Sequence, residues 1–147
     1  MMAVLRAEIS ADPLDLAAHV ALVESPQMGA VATFVGIVRD HDPDAAGVVV
    51  ALEYSAHPDA ARVLADLAER VAVGERAEVR IAVSHRIGRL SVGDVAIVCA
   101  VASAHRGDAF DVCRELVEAV KHELPVWKKQ LEADGSHSWV GLGGVSS

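Results

Sequence analysis

The chain predicts an α+β fold, on three observations. Strand-like and helix-like segments follow the order β-α-β-β-α-β-β-α and end in a hairpin. Two strand-like runs, 29–38 and 48–54, adjoin with no helix between them, which favours a mixed or antiparallel sheet over a doubly wound parallel one. Hydrophobic residues make up 52% of the chain but aromatic ones only 3%, so the core is expected to be built from Val, Ala, Leu and Ile. At 147 residues the chain fits one domain spanning 1–147, long enough for a substantial core.

Leu5, Ala7 and Ile9 alternate with more polar neighbours and predict a first strand. Asp12 as cap and Pro13 in the first turn predict a helix, with Leu14, Ala17, Ala18, Ala21 and Leu22 on one face and Pro26 ending it. The run GAVATFVGIV from Gly29 to Val38 is rich in β-branched residues and too apolar for an exposed position, so a central strand is expected. Gly36 within it signals a bulge or a close backbone approach. Arg39 to Gly47 is a polar loop with a turn at Asp42-Pro43.

Val48 to Tyr54 resumes a strand. Pro58 opens a helix whose apolar stripe is read as Ala61, Leu64, Ala65, Ala68 and Val71, stopped at Gly74. Strands at 77–84 and 94–102 follow, separated by a bend at Gly88 and a turn at Ser91 to Asp94. A helix from about Gly107 to Glu123 places Phe110, Cys113, Val117, Val120 and Leu124 on one stripe, with Lys121 at its edge, roughly 20° from the direction of Phe110. Pro125 stops that helix, and Val126 to Leu131 with His137 to Val140 form the terminal hairpin. Residues 141–147, GLGGVSS, read as a flexible tail.

Charge and cysteine content narrow the function classes. A net charge of -8 argues against a nucleic-acid binder, which needs a broad basic face to neutralise phosphates. Cys99 and Cys113 lie in apolar surroundings without CxxC spacing and are expected to be reduced thiols in the core. The start of the chain lacks the pattern of a signal peptide, and no apolar run approaches the length of a membrane span, so a cytoplasmic protein without membrane attachment is expected. No GxSxG elbow, Walker loop or strand-associated GxGxxG is present, which removes the common hydrolase, triphosphatase and dinucleotide readings.

What remains is a concentration of cations. All three lysines, Lys121, Lys128 and Lys129, fall in one nine-residue window, while the other ten of the thirteen basic residues are arginine. Arginine serves as a fixed cation, whereas a lysine amine can also lose a proton or attack an electrophile. The same cluster also fits an ordinary solvated end in an arginine-rich chain. Ser103-Ala104-His105-Arg106 closes a buried strand just before a helix, where His105, Arg106 and the helix N-terminus can meet an anion together. Alternatively, Ser103 or Asp108 caps the helix and Arg106 pairs with an exposed acid. Arg39 stands where the second strand passes into its loop. Together Arg39, His105, Arg106, Lys121 and Lys128 would suit a polyanionic small molecule. His41, Asp42 and Asp44 have the ligand types of a divalent-metal phosphohydrolase but lack any metal-site spacing, and acids beside Pro43 serve turn formation and solubility.

The ordered combination of TFVGIVRDH at Thr33 to His41, LEY at Leu52 to Tyr54, HRIGRLSVGD at His85 to Asp94, SAHR at Ser103 to Arg106 and the segment from Lys121 ending in PVWKK resembles the large, catalytic subunit of molybdopterin synthase. The resemblance covers about Gly29 to Trp139. It implies an α+β fold of the hammerhead type and a homodimer carrying a small ubiquitin-like sulfur carrier at each end, a heterotetramer in all. The carrier's C-terminal diglycine, as a thiocarboxylate, would donate sulfur to cyclic pyranopterin monophosphate and form the dithiolene of molybdopterin. No bound cofactor or metal is implied.

By matching positions the resemblance implies Lys121 and Lys128 as catalytic residues. It implies Arg39, His105, Arg106, Lys129 and Gln130 as substrate-binding ones, with His105 and Arg106 supplied by the neighbouring subunit. Ile37, where relatives can carry lysine, and Gln130, in place of a frequent glutamate, depart from the pattern, and the tail offers glycines where an arginine can lie. The alternative is a non-catalytic homologue that scaffolds a ubiquitin-like sulfur carrier.

Overall fold

In a computed structural model, which describes residues 3–40, 48–74, 77–133, 135 and 137–141, the strands divide between two four-stranded sheets. The elements are β1 (Val4–Ser10), α1 (Leu16–Val23), β2 (Ala30–Ile37), β3 (Val49–Ala56), α2 (Ala60–Ala72), β4 (Val79–Arg86), β5 (Gly88–Ser91), β6 (Val95–Ser103), α3 (Arg106–Glu123), β7 (Val126–Glu132) and β8 (His137–Gly141). The first sheet has the order β1-β4-β6-β2, parallel only between β1 and β4; the second, antiparallel throughout, has the order β5-β3-β7-β8.

Strand alternation sorts the first sheet into two faces. Ile81 and Val83 of β4, Cys99 and Val101 of β6 and Ala32 of β2 face α2 and α3, whose Leu64, Leu67, Leu116 and Val120 complete the main core. Ala82, Ala100 and Ala102 face the other way, toward Val23 of α1. Small side chains there let α1 lie close, and its His19 bridges the Asp15 carbonyl, 2.6 Å from Nδ1, and the Ser84 hydroxyl, 2.7 Å from Nε2. Each fully buried leucine, such as Leu64 or Leu116, contributes on the order of 1.5–3 kcal/mol. Cys99 and Cys113 are both free thiols in this core, their sulfurs 3.9 Å apart.

The expected α+β class holds, and several elements differ in detail. α1 begins one turn later than Asp12-Pro13 suggests: Asp15 is its N-cap and accepts a hydrogen bond from the Ala18 amide at 3.2 Å. β2 is an edge strand rather than a central one, with Val31 38% and Ile37 58% exposed. The anticipated pairing of 29–38 with 48–54 does not occur, because β2 pairs with β6 while β3 pairs with β5 and β7 in the other sheet. The Gly88 bend contains a short strand, β5, whose Leu90 is fully buried against Leu52, Val38 and Ala96 in a second, small core. On α2 the buried face is Ala60, Leu64, Leu67, Ala68 and Val71, so Ala61 points outward. On α3 Phe110 is 63% exposed, and Ala109 and Val112 take the inward positions.

The bulge anticipated at Gly36 is present, as a register shift between Gly36 and Ile37 against β6. A side chain at Gly36 would bring Cβ within 2.5 Å of the Ile97 methyl. The terminal hairpin forms as expected, turning at Gly135 with φ +88°. The turn at Asp42-Pro43, the metal reading of His41, Asp42 and Asp44, and the tail beyond Gly141 lie outside the described residues. No helix among the described residues is long and apolar enough to cross a membrane.

Candidate functional site

The two sheets and the end of α3 meet around a cavity of about 340 Å³. The first sheet supplies Phe34, Gly36, Ile37, Ile97 and His85, with Ala96 beside them; the second supplies Leu52, Tyr54 and Lys128; α3 supplies Val120 and Lys121; and Val38 and Arg39 continue the chain out of β2. Its size suits a small organic ligand. Its lining combines apolar side chains with three cationic ones and, among the described lining residues, no carboxylate. Such a lining suits an anion carried on a flat or apolar body.

Local sequence explains how each cation arrives. Arg39 follows directly on β2, where Val38 is held by its amide to the Asp94 carbonyl at 2.9 Å. Lys121 lies in the last turn of α3, beside the buried Val120. Leu124 and Pro125 then stop the helix, with the Leu124 amide closing on Val120 at 3.0 Å, and the chain turns directly into β7. Lys128 is the third residue of that strand and pairs in register with Tyr54 of β3, so two lysines seven positions apart converge from a helix end and a strand start. The Arg70–Glu123 ion pair ties α2 to the same helix end and holds the Glu123 carboxyl below its usual range.

The other sequence-derived residues lie elsewhere in the single chain. Lys129 alternates to the opposite face of β7 from Lys128, where its ammonium sits 5.8 Å from the centre of the Trp139 ring. Gln130 returns to the inner face but is fully buried, paired in register with Leu52. His105 and Arg106 stand at the far end of β6 from Ile97, exposed at the start of α3. His105 is the N-cap and makes no side-chain capping bond, so neither Ser103 nor Asp108 caps the helix, and no ion pair holds Arg106 among the described residues. Gly29 packs against this corner so closely that a Cβ would lie 2.5 Å from the Ala104 carbonyl oxygen.

His85 was not singled out by sequence reasoning as a site residue, although it opens one of the motifs that carry the resemblance. It lines the cavity at 3% exposure, its Nδ1 2.8 Å from the Arg86 carbonyl oxygen and its ring packed edge-on to Tyr54 at 5.1 Å between centres. Burial pushes its pKa below 6.5, against the opposing effect of the backbone hydrogen bond. The available signal was positional: on β4, Ile81 and Val83 form an apolar row whose next member is a histidine.

The chain is similar in sequence and in fold to known proteins. A model of the MoaE protein family matches residues 9–123. The chain is 39% identical over 132 residues to the molybdopterin synthase catalytic subunit of Nostoc sp., covering 89% of this chain and 79% of that protein. It is 40% identical over 131 residues to molybdopterin synthase catalytic subunit 1 of Mycobacterium tuberculosis, covering 88% and 86%. Among solved structures, molybdopterin synthase from Staphylococcus aureus superposes with a TM-score of 0.83 at 30% identity, over 91% of this chain and 96% of that one. The molybdopterin biosynthesis MoaE protein from Burkholderia ambifaria gives 0.78 at 34% identity, over 97% and 91%. With a family model spanning most of its length and relatives this similar, the chain belongs to the MoaE protein family.

Proposed function

We propose that the chain is the catalytic subunit of a molybdopterin synthase, transferring sulfur from the C-terminal thiocarboxylate of a small ubiquitin-like carrier to cyclic pyranopterin monophosphate. The observation that carries this reading is the convergence of Arg39, Lys121 and Lys128 on one cavity of an acidic protein. Arg39 supplies a planar, permanently charged fork for the substrate phosphate. Lys121 and Lys128 supply amines that hold the anion and can pass a proton as the phosphate ring opens and sulfur adds. The apolar side chains of Phe34, Leu52, Ile97 and Val120 in the same lining lower the local dielectric and strengthen these charge interactions.

His105 and Arg106 enter the same reading through a homodimer. β2 is an apolar edge strand with Val31 and Ile37 uncovered, and Phe110 of α3 stands exposed near it, beside a groove formed with Ala32, Thr33 and Phe34. Unpaired apolar edges of this kind are usually covered. β2 is about 25 Å long, with Ala30 paired to Ser103 at one end and Arg39 following at the other. A two-fold axis pairing β2 with the β2 of a second copy in antiparallel fashion would carry His105 and Arg106 of that copy toward the cavity of the first. Gln130 then serves the site from β7 as a buried support behind Lys128, while Lys129, on the outer face with Trp139, does not reach the cavity of its own chain. With one carrier at each cavity the assembly is a heterotetramer, and unbridged cysteines fit a cytoplasmic setting.

The test is product formation by the purified chain with cyclic pyranopterin monophosphate and a thiocarboxylated carrier. Carrier-dependent dithiolene product is the expected result. No product from a carrier shown to be bound and thiocarboxylated would replace this reading with that of a carrier-binding scaffold, and would direct reversion to Ile37 and Gln130.

A further inference from the structure

The cations of the cavity are hydrogen-bond donors, and an arginine and two lysines offer no acceptor. Among the described side chains that line it, acceptors are limited to the Tyr54 hydroxyl and His85. The orientation of His85 is determined by its surroundings. A carbonyl oxygen only accepts, so the 2.8 Å contact with Arg86 places the proton of the neutral ring on Nδ1 and leaves Nε2 as an acceptor. Tyr54, edge-on at 71°, fixes the ring plane. Packing alone would be served by continuing the apolar row of Ile81 and Val83, so an oriented imidazole in the cavity wall has to be explained by what it meets there.

We propose that His85 is a substrate-contacting residue of this site, its Nε2 accepting a hydrogen bond from a ring N–H or O–H donor of the bound pterin while Arg39, Lys121 and Lys128 hold the anionic end. His85 thereby selects for a heterocycle with a donor edge, a feature that a purely cationic pocket does not read. The inference rests on the molybdopterin synthase reading and assigns to it a residue that recognises the substrate's ring.

Two isosteric substitutions separate the ring's two nitrogens. His85→Gln keeps an acceptor near the position of Nε2, whereas His85→Asn keeps a donor for the Arg86 carbonyl and removes the acceptor from the cavity. With the carrier complex, His85→Asn is expected to raise KM for the pterin about three- to tenfold, the effect of one neutral hydrogen bond, with a smaller change in kcat. His85→Gln, which keeps the acceptor but loses the bond to the Arg86 carbonyl, should raise KM distinctly less than His85→Asn on the same scale.

The pH profile gives an independent reading. Protonating Nε2 removes the acceptor, so KM in the wild type should rise as pH falls below 6.5 toward the lowered pKa of His85. The other polar groups of this chain that line the cavity are Arg39, Lys121, Lys128 and Tyr54, and the proposed dimer adds a second imidazole, His105 of the second copy. The part of the acid limb that belongs to His85 is the part that His85→Gln removes, and it should be lost in that variant with His105 unchanged. In the unsubstituted protein labelled with ¹⁵N-histidine, the Nε2 resonance should shift when substrate is added. Equal KM for His85→Asn and wild type, or a resonance that substrate leaves unmoved, would overturn the assignment while wild-type turnover leaves the synthase reading standing. A wild-type complex that forms no product defeats both.

Discussion

Lys121→Ala and Lys128→Ala are each expected to lower turnover by about 10²- to 10⁴-fold, the range for losing a positioned proton-transfer group. The fold should survive both changes. Lys121 is exposed on the last turn of α3 and Lys128 only half-buried, so neither truncation opens the core formed by Leu116, Val120 and Leu124. Carrier binding should also persist, because both side chains line the cavity and leave the rest of the surface unchanged. The informative measurement is single-turnover kinetics at saturating substrate, with circular dichroism and carrier titration alongside. Near-normal turnover in both variants would remove the lysines from the mechanism and leave only an anion-binding role for the cavity.

Mixing two inactive variants should restore activity. Arg106→Ala at the start of α3 and Lys128→Ala at the cavity are well separated within one chain, yet the proposed antiparallel two-fold arrangement would bring the two positions together in one site. In a mixed dimer one cavity then carries both defects and the other carries neither. Random exchange of subunits gives half mixed dimers, each with one intact site, and recovers about a quarter of wild-type turnover. Thr33→Arg, near the middle of the proposed β2–β2 contact and exposed in the single chain, should weaken the dimer and abolish that recovery. Recovery without exchange, or none with exchange demonstrated, would place His105 and Arg106 in some other role.

The parts of the fold legible in the sequence were those governed by local periodicity. The alternation in β1, the stop at Pro125 and the hairpin around Gly135 each rest on short-range chemistry. Errors arose where partners distant in sequence decided. The apolarity of 29–38 suggests central burial, but the segment is an edge whose Val31 and Ile37 are uncovered in one chain. Phe110 misled for the same reason, since an exposed ring near that edge is indistinguishable by spacing from a core one. The short β5 was missed because its four residues pair with β3, more than thirty positions earlier, and only Leu90 signals burial.

The candidate site was half legible in the same sense. The rarity of lysine drew attention to Lys121 and Lys128, and the two-residue period of β7 explains why the adjacent Lys129 faces away from them. His85 gave no such signal, because a histidine between buried positions also fits a satisfied core residue like His19, which bonds to Asp15 and Ser84. Only the cavity on one side of its ring distinguishes the two.

The most direct measurement follows the sulfur itself. A carrier thiocarboxylated with ³⁴S, incubated with the purified chain and cyclic pyranopterin monophosphate, should give a product whose dithiolene carries the heavy isotope at both sulfur positions, with the carrier returned as its carboxylate. Unlabelled product, or labelled carrier recovered intact after prolonged incubation with chain and substrate, would contradict the assignment of this cavity as a sulfur-transfer site.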